Sequence, residues 1–204
     1  MSVKSPAEAW QAMLDGNRRF VSGDLAHPRQ DIDRREALAQ KQTPFAALFG
    51  CADSRLSAEI IFDVGLGDFF VVRNAGQVIG ETILGSLEYA VEVLGVPIIL
   101  VLGHDECGAI RATIDDVEGT MNAQGAFIHK LVDQIRPTVL EANSQGLHEI
   151  DDVTQLHVRD TINEMLSSSK LIADAVEAGK LAVVGANYKL TLGEVRPIVT
   201  YGKI

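Results

Sequence analysis

A chain of 204 residues, 47% apolar and 23% charged, is long enough for one domain with a substantial core, which excludes a disordered or fibrous protein. Its formal net charge of −10 argues against nucleic acid as a partner, since phosphate binding needs a basic face. The longest apolar run, 96–102, contains a proline and is too short to span a bilayer, the N-terminal segment lacks an apolar secretory region, and two cysteines suit a reducing setting, so a cytoplasmic protein with no membrane partner is expected.

Residues 6–21 place Trp10, Leu14, Phe20 and Val21 at helical spacing, and Pro6 suits a first turn. His27-Pro28 and Thr43-Pro44 interrupt the polar stretch 22–44, which holds a short helix near 34–41. The expected organisation is a single domain over 1–204, with an N-terminal helical arm over 1–44 and an α/β core over 45–204. The apolar run 45–49 predicts a buried strand ended by Gly50, and 68–73 predicts a second strand entered through the 65–67 turn. That turn lacks the dinucleotide-binding fingerprint, which disfavours NAD. Residues Ile83, Leu84, Leu87, Val91 and Leu94 recur at helical spacing within 80–94, closed by Gly95 and Pro97. A third strand at 98–102 precedes a helix starting near Gly108, and a long helical region over 124–178 is broken near Gly146. A fourth strand at 181–186 and an edge strand at 196–201 complete the chain.

Continuous apolar strands alternating with helices specify an α/β fold: a mostly parallel central sheet, about four parallel strands plus one edge strand, flanked by helices. Sites in such sheets form beyond the carboxyl ends of the strands, where the winding reverses. If the first and third strands are neighbours, with the second outside the first, the polar clusters that follow them meet at that place.

Those clusters hold both cysteines: CADSR at 51–55 and HDECG at 104–108. Cys51, His104 and Cys107 form a donor set that suits zinc, and the positive end of the helix from Gly108 favours ionised thiolates. A Cys51–Cys107 disulfide is the alternative for the thiols, as are buried apolar cysteines beside a hydrogen-bonded loop histidine. Asp53 either closes the site as a fourth ligand or is held off the metal by a bidentate pair with Arg55, leaving the fourth position to water. In the open arrangement a zinc-bound hydroxide, hydrogen-bonded to Asp53, attacks a small electrophile; two thiolates on the metal place its formation on the alkaline side of neutrality. His27, His129, His148 and His157 lack ligand spacing and read as surface or helix residues, and Asp105-Glu106 reads as a solvated turn.

Cys-x-Asp-x-Arg followed some fifty residues later by Gly-His-x-x-Cys-Gly resembles the β-class carbonic anhydrases, as do GDFFVVRNAG at 67–76 and SLEYAV at 86–91 between them. The resemblance runs from Trp10 through the final strand. It implies reversible hydration of carbon dioxide to bicarbonate and a proton, with zinc on Cys51, His104 and Cys107 and a catalytic dyad of Asp53 and Arg55. It further implies substrate-binding roles for Gln42, Phe70, Tyr89 and Gly108, the two aromatic residues walling the pocket across a dimer interface. Leu48 stands where one bacterial branch carries the tryptophan of an inhibitory bicarbonate site, which implies that this site is absent. The expected assembly is a homodimer or a dimer-based homotetramer, with the apolar stripe of the N-terminal helix lying across the partner subunit. Rival expectations are a zinc hydrolase of carbon disulfide or carbonyl sulfide on the same fold, and a non-catalytic zinc or redox-sensing module.

Overall fold

The computed structural model describes residues 5–121 and 124–204, so the first four residues of the expected arm lie outside it. The first helix, α1 (Pro6–Ser22), starts in a capping box: the Ser5 hydroxyl accepts from the Glu8 amide and the Glu8 carboxylate accepts from the Ser5 amide. A left-handed Gly23 ends it. A short helix, α2 (Ile32–Leu38), capped by Asp31, has no buried residue.

The core alternates strands and helices in chain order. Strand β1 (Ala46–Cys51), the single turn α3 (Ala58–Ile61), β2 (Phe69–Asn74), a 3₁₀ turn (Ala75–Gln77) and α4 (Glu81–Glu92) form its first half. Strand β3 (Ile98–His104), α5 (Gly108–Val117), α6 (Ala126–Ser144), α7 (Ile150–Ser168), α8 (Lys170–Glu177), β4 (Ala182–Lys189) and β5 (Glu194–Tyr201) form the second. The sheet order is β2-β1-β3-β4-β5. The first three neighbouring pairs are parallel and β5 is antiparallel to β4. This is the expected mostly parallel sheet, and β1 and β3 are neighbours with β2 outside β1, so the winding reverses between them.

Every residue of β1 and β3 is buried, as strands covered on both faces must be. One face packs Leu48, Leu100, Val184, Ile110 and Val139; the other packs Phe49, Val101, Leu87, Val158 and Ile162. Helix α7 reaches the sheet over two glycines. A Cβ on Gly103 would lie 2.6 Å from Val158 Cγ2, and one on Gly185 would lie 2.8 Å from Val158 Cγ1, so any larger residue would push the helix away.

Two expectations change. The region 124–178 is three helices, because besides the break near Gly146 a second falls at Ser169, an extended residue whose hydroxyl caps α8 by accepting from the Ile172 amide. The single turn α3 is additional. The N-terminal helix is buried against its own chain: Ala9, Trp10 and Met13 enter the core, and Asn17 donates to Ile61 O and Gly193 O while accepting from the Val195 amide. Leu14 and Phe20 are only partly buried and Val21 is exposed, so part of the stripe stays uncovered on this chain. Among the described residues, no helix is long and apolar enough to cross a membrane.

Candidate metal centre at the sheet reversal

Cys51 is the last residue of β1, His104 the last of β3, and Cys107 the residue capping α5. Gly50 pairs with Leu102, so Cys51 and His104 stand just beyond the last paired positions of two adjacent strands. Parallel pairing thus delivers residues more than fifty apart in sequence to one point. Their candidate ligand atoms lie within 4.8 Å of one another, and all three residues are buried. Both thiols are free.

The histidine is oriented for ligation. Its Nδ1 lies 2.8 Å from Asp105 O. A carbonyl only accepts, so Nδ1 carries the proton and Nε2 turns toward the sulfurs. Nε2 is buried with no hydrogen-bond partner among the described residues, an orphan that a metal ion would satisfy. Two thiols and an imidazole nitrogen fit a soft or borderline divalent cation. The Cys51 thiol is driven down chiefly by the hydrogen bond from Cys107, against the upward push of burial, and the same bond and burial drive Cys107 up. The Gly76 amide donates to the Cys51 Sγ at 3.4 Å.

Asp53, half-buried two residues beyond Cys51, is gripped by Arg55. Arg55 Nε donates to Oδ1 at 2.9 Å and Nη2 to Oδ2 at 2.7 Å, while the Arg55 amide donates to Oδ1 at 2.9 Å. The guanidinium holds the Asp53 carboxyl well below the usual carboxylate range, partly opposed by burial. Asp53 Oδ2 lies 3.9 Å from His104 Nε2, too far for a hydrogen bond. Arg55 holds the carboxylate beside the three candidate ligands. Gly108, the first residue of α5, is exposed, and an added Cβ there would meet open space.

Gln42, Phe70 and Tyr89 gather elsewhere. Gln42 and Tyr89 line a surface hollow of about 590 Å³ that includes none of the three ligands. The Phe70 ring lies 6.0 Å from that of Tyr89. Phe70 pairs with Ala47, whereas Cys51 pairs with Asn74, so the two lie ~13 Å apart along the strands at 3.3 Å per residue. Within one chain this trio does not face the metal centre.

Sequence reasoning missed four residues around the site. Arg73 Nε donates to Cys51 O at 2.9 Å and its Nη2 to Asp53 O at 2.6 Å, pinning the loop between them. Gly76 reaches the Cys51 sulfur, and Gln77 beside it is fully buried. His157, expected among surface or helix residues, is on a helix but buried, with Nε2 2.7 Å from Gly76 O. His27, His129 and His148 are exposed. The segment FFVVRNAG contained two of these residues, but nothing in its pattern says which backbone atoms they meet. Asp105 is not simply solvated, since its Oδ1 accepts from the Leu190 amide at 2.9 Å.

Comparison with known proteins places this geometry. The family described as carbonic anhydrase matches residues 46–195. Carbonic anhydrase 2 of Mycobacterium tuberculosis is 47% identical over 194 residues, covering 95% of this chain and 93% of that protein. A carbonic anhydrase of Mycolicibacterium smegmatis is 47% identical over 195 residues, covering 96% and 94%. Among solved structures, a tetrameric β-carbonic anhydrase of Sordaria macrospora superimposes with a TM-score of 0.74 over 93% of this chain and 96% of that one; at 22% identity it attests the fold. The Coccomyxa β-carbonic anhydrase in complex with acetazolamide gives a TM-score of 0.71 at 25% identity, over 97% and 87%.

Proposed function

This chain belongs to the β-class carbonic anhydrase family, and from that premise we propose that it catalyses reversible hydration of carbon dioxide to bicarbonate and a proton, with zinc held by Cys51, His104 and Cys107. The observation that carries the reading is the orphaned, buried His104 Nε2 within 4.8 Å of two sulfurs, with an arginine-clamped carboxylate next to it. Zinc bound there would supply Lewis acidity, bringing the pKa of water toward neutrality.

The protein's own groups divide the remaining work. Cys51 and Cys107 supply negative charge, stabilised by the Gly76 amide and by the positive end of α5. His104 keeps Nε2 free for the metal because Asp105 O holds the proton on Nδ1. Asp53, kept ionised by Arg55, is an acceptor only, so it takes the hydrogen bond of the attacking water and aims the water's oxygen at the carbon of carbon dioxide. Arg55 grips both carboxylate oxygens and leaves Oδ2 one lone pair for the water, a bidentate hold that favours the open site over a closed one with Asp53 as fourth ligand. Gly108 leaves space beside Cys107 for a small substrate. The distance of Gln42, Phe70 and Tyr89 from the ligands supports a homodimer in which these residues of a second copy wall the pocket.

Stopped-flow carbon dioxide hydration by zinc-loaded protein tests the reading. Wild type should be active, and Asp53→Ala should keep its zinc while losing ~10²–10⁴ in rate, the usual worth of a positioned proton acceptor. An inactive zinc-loaded wild type, or an Asp53→Ala variant within a few-fold of it, refutes the proposal.

A further inference from the structure

Helix α7 presents an unusual stripe to the interior. Thr154, His157 and Thr161 are spaced three and four residues apart, so they share one face, and all three are buried. Buried polar groups are costly unless bonded, and an apolar residue at each position would avoid that cost. Each of the three meets a backbone carbonyl of the metal centre's framework. Thr154 Oγ1 donates to His104 O at 3.4 Å, His157 Nε2 to Gly76 O at 2.7 Å, and Thr161 Oγ1 to Gln77 O at 3.4 Å. The carbonyl partner assigns the His157 proton to Nε2; its Nδ1 is buried and has no partner among the described residues, so among them the Gly76 bond is the one hydrogen bond the ring makes.

The turn that His157 grips is the one that reaches the metal centre from behind. Its Gly76 amide donates to the Cys51 sulfur. Asn74 closes the turn with its side chain, donating to Val78 O at 2.7 Å and accepting from the Val78 amide at 2.9 Å. Inside that closure Gly76 has φ of +73° and Gln77, a residue with a side chain, has φ of +40°. A left-handed pair of this kind is held by its surroundings rather than by its own preference.

We propose that His157 is a positioning residue of the metal centre: its imidazole, flanked by Thr154 and Thr161, holds the Gly76 turn so that the Gly76 amide hydrogen stays on the Cys51 sulfur. The inference rests on the reading that Cys51, His104 and Cys107 hold a metal. Groups that orient metal ligands from outside the ligand set are commonly worth ~10–100-fold in metal affinity. An amide hydrogen on a thiolate also lowers the energy of the sulfur lone pair, so its loss moves thiolate-to-metal charge transfer to longer wavelength.

The test loads wild type, His157→Leu and His157→Gln with cobalt(II), recording the thiolate-to-cobalt absorption band and measuring metal retention against a chelator. His157→Leu removes the donor, so its band should shift to longer wavelength and retention should fall ~10–100-fold. The Gln amide can occupy the position of Nε2, so His157→Gln should restore both. Should His157→Leu not fold, His157→Asn replaces it, because the shorter amide matches only the Nδ1 position and should show the same losses. A folded variant lacking the donor, with wild-type band and retention, overturns the inference while leaving the metal assignment standing. A wild type that binds no cobalt overturns both.

Discussion

Adding one methyl group at Gly76 tests how firmly the turn behind Cys51 is built. The position has φ of +73°, which costs a residue with a Cβ about 1–2 kcal/mol. The new carbon would stand 2.8 Å from Ala109 Cβ and 2.9 Å from Ile135 Cδ1. Ala109 sits on the first turn of α5 beside Cys107, and Ile135 is fully buried in α6, so relief requires moving a helix or repacking the core. Overpacking of this kind costs about 1–3 kcal/mol. Gly76→Ala should therefore lose about 2–5 kcal/mol, a large share of the roughly 5–15 kcal/mol typical of a folded domain. Urea unfolding of zinc-loaded wild type and variant should show a lower midpoint at unchanged slope, with both at one protein concentration because association shifts apparent stability. Chelator competition should show weaker zinc retention, since a turn that yields to the clash carries its amide away from the Cys51 sulfur and a helix α5 that yields carries Cys107 with it. A variant that unfolds at the wild-type midpoint and keeps zinc equally well would falsify the account of this turn.

Cys107→Ser should lose most of the zinc on dialysis, because a neutral hydroxyl replaces a thiolate; elemental analysis showing one zinc per folded variant chain would refute the ligand assignment. Burial pushes His157 below an ordinary histidine, so the folded chain leaves it neutral where the unfolded chain binds a proton. The associated stability is complete above about pH 6.5, the unfolded value, and is lost as pH falls below it, with a slope of at most about 1.4 kcal/mol per pH unit. Urea midpoints of zinc-loaded wild type should accordingly fall faster than those of His157→Gln between about pH 6.5 and 5, and parallel curves would contradict the buried neutral imidazole.

Most of the fold was legible because burial imposes a readable pattern. Strands β1 and β3 are buried on both faces and stand in the sequence as unbroken apolar runs, and α4 carries its apolar residues at helical spacing. The juxtaposition of the three candidate ligands was legible for a related reason: parallel pairing brings the carboxyl ends of β1 and β3 together, so polar clusters following both strands had to meet. The misses fall where sequence carries a local signal that tertiary contacts decide. Ser169 sits in a run of serines that reads as helix or cap equally well, and only the bond from the Ile172 amide makes it a cap. Trp10 stands in an amphipathic stripe that says the helix is buried but not against what, and bonds from Asn17 to the Ile61 and Gly193 backbone anchor it to its own chain.

The residues behind the metal centre were illegible for a sharper physical reason. Thr154, His157 and Thr161 are common polar residues at helical spacing, and on most helices such a stripe faces water. What turns it inward is remote in sequence: glycines at 103 and 185 remove the side chains that would hold α7 away from β3 and β4. Once the helix closes on the sheet, its donors meet the His104 carbonyl at the end of β3 and the Gly76 carbonyl in the turn after β2. Backbone carbonyls around the candidate ligand cluster are thus bonded by side chains of α7. A ligand set can be read from two short motifs, whereas its support depends on how closely a distant helix approaches, and that distance is written in glycines carrying no chemistry of their own.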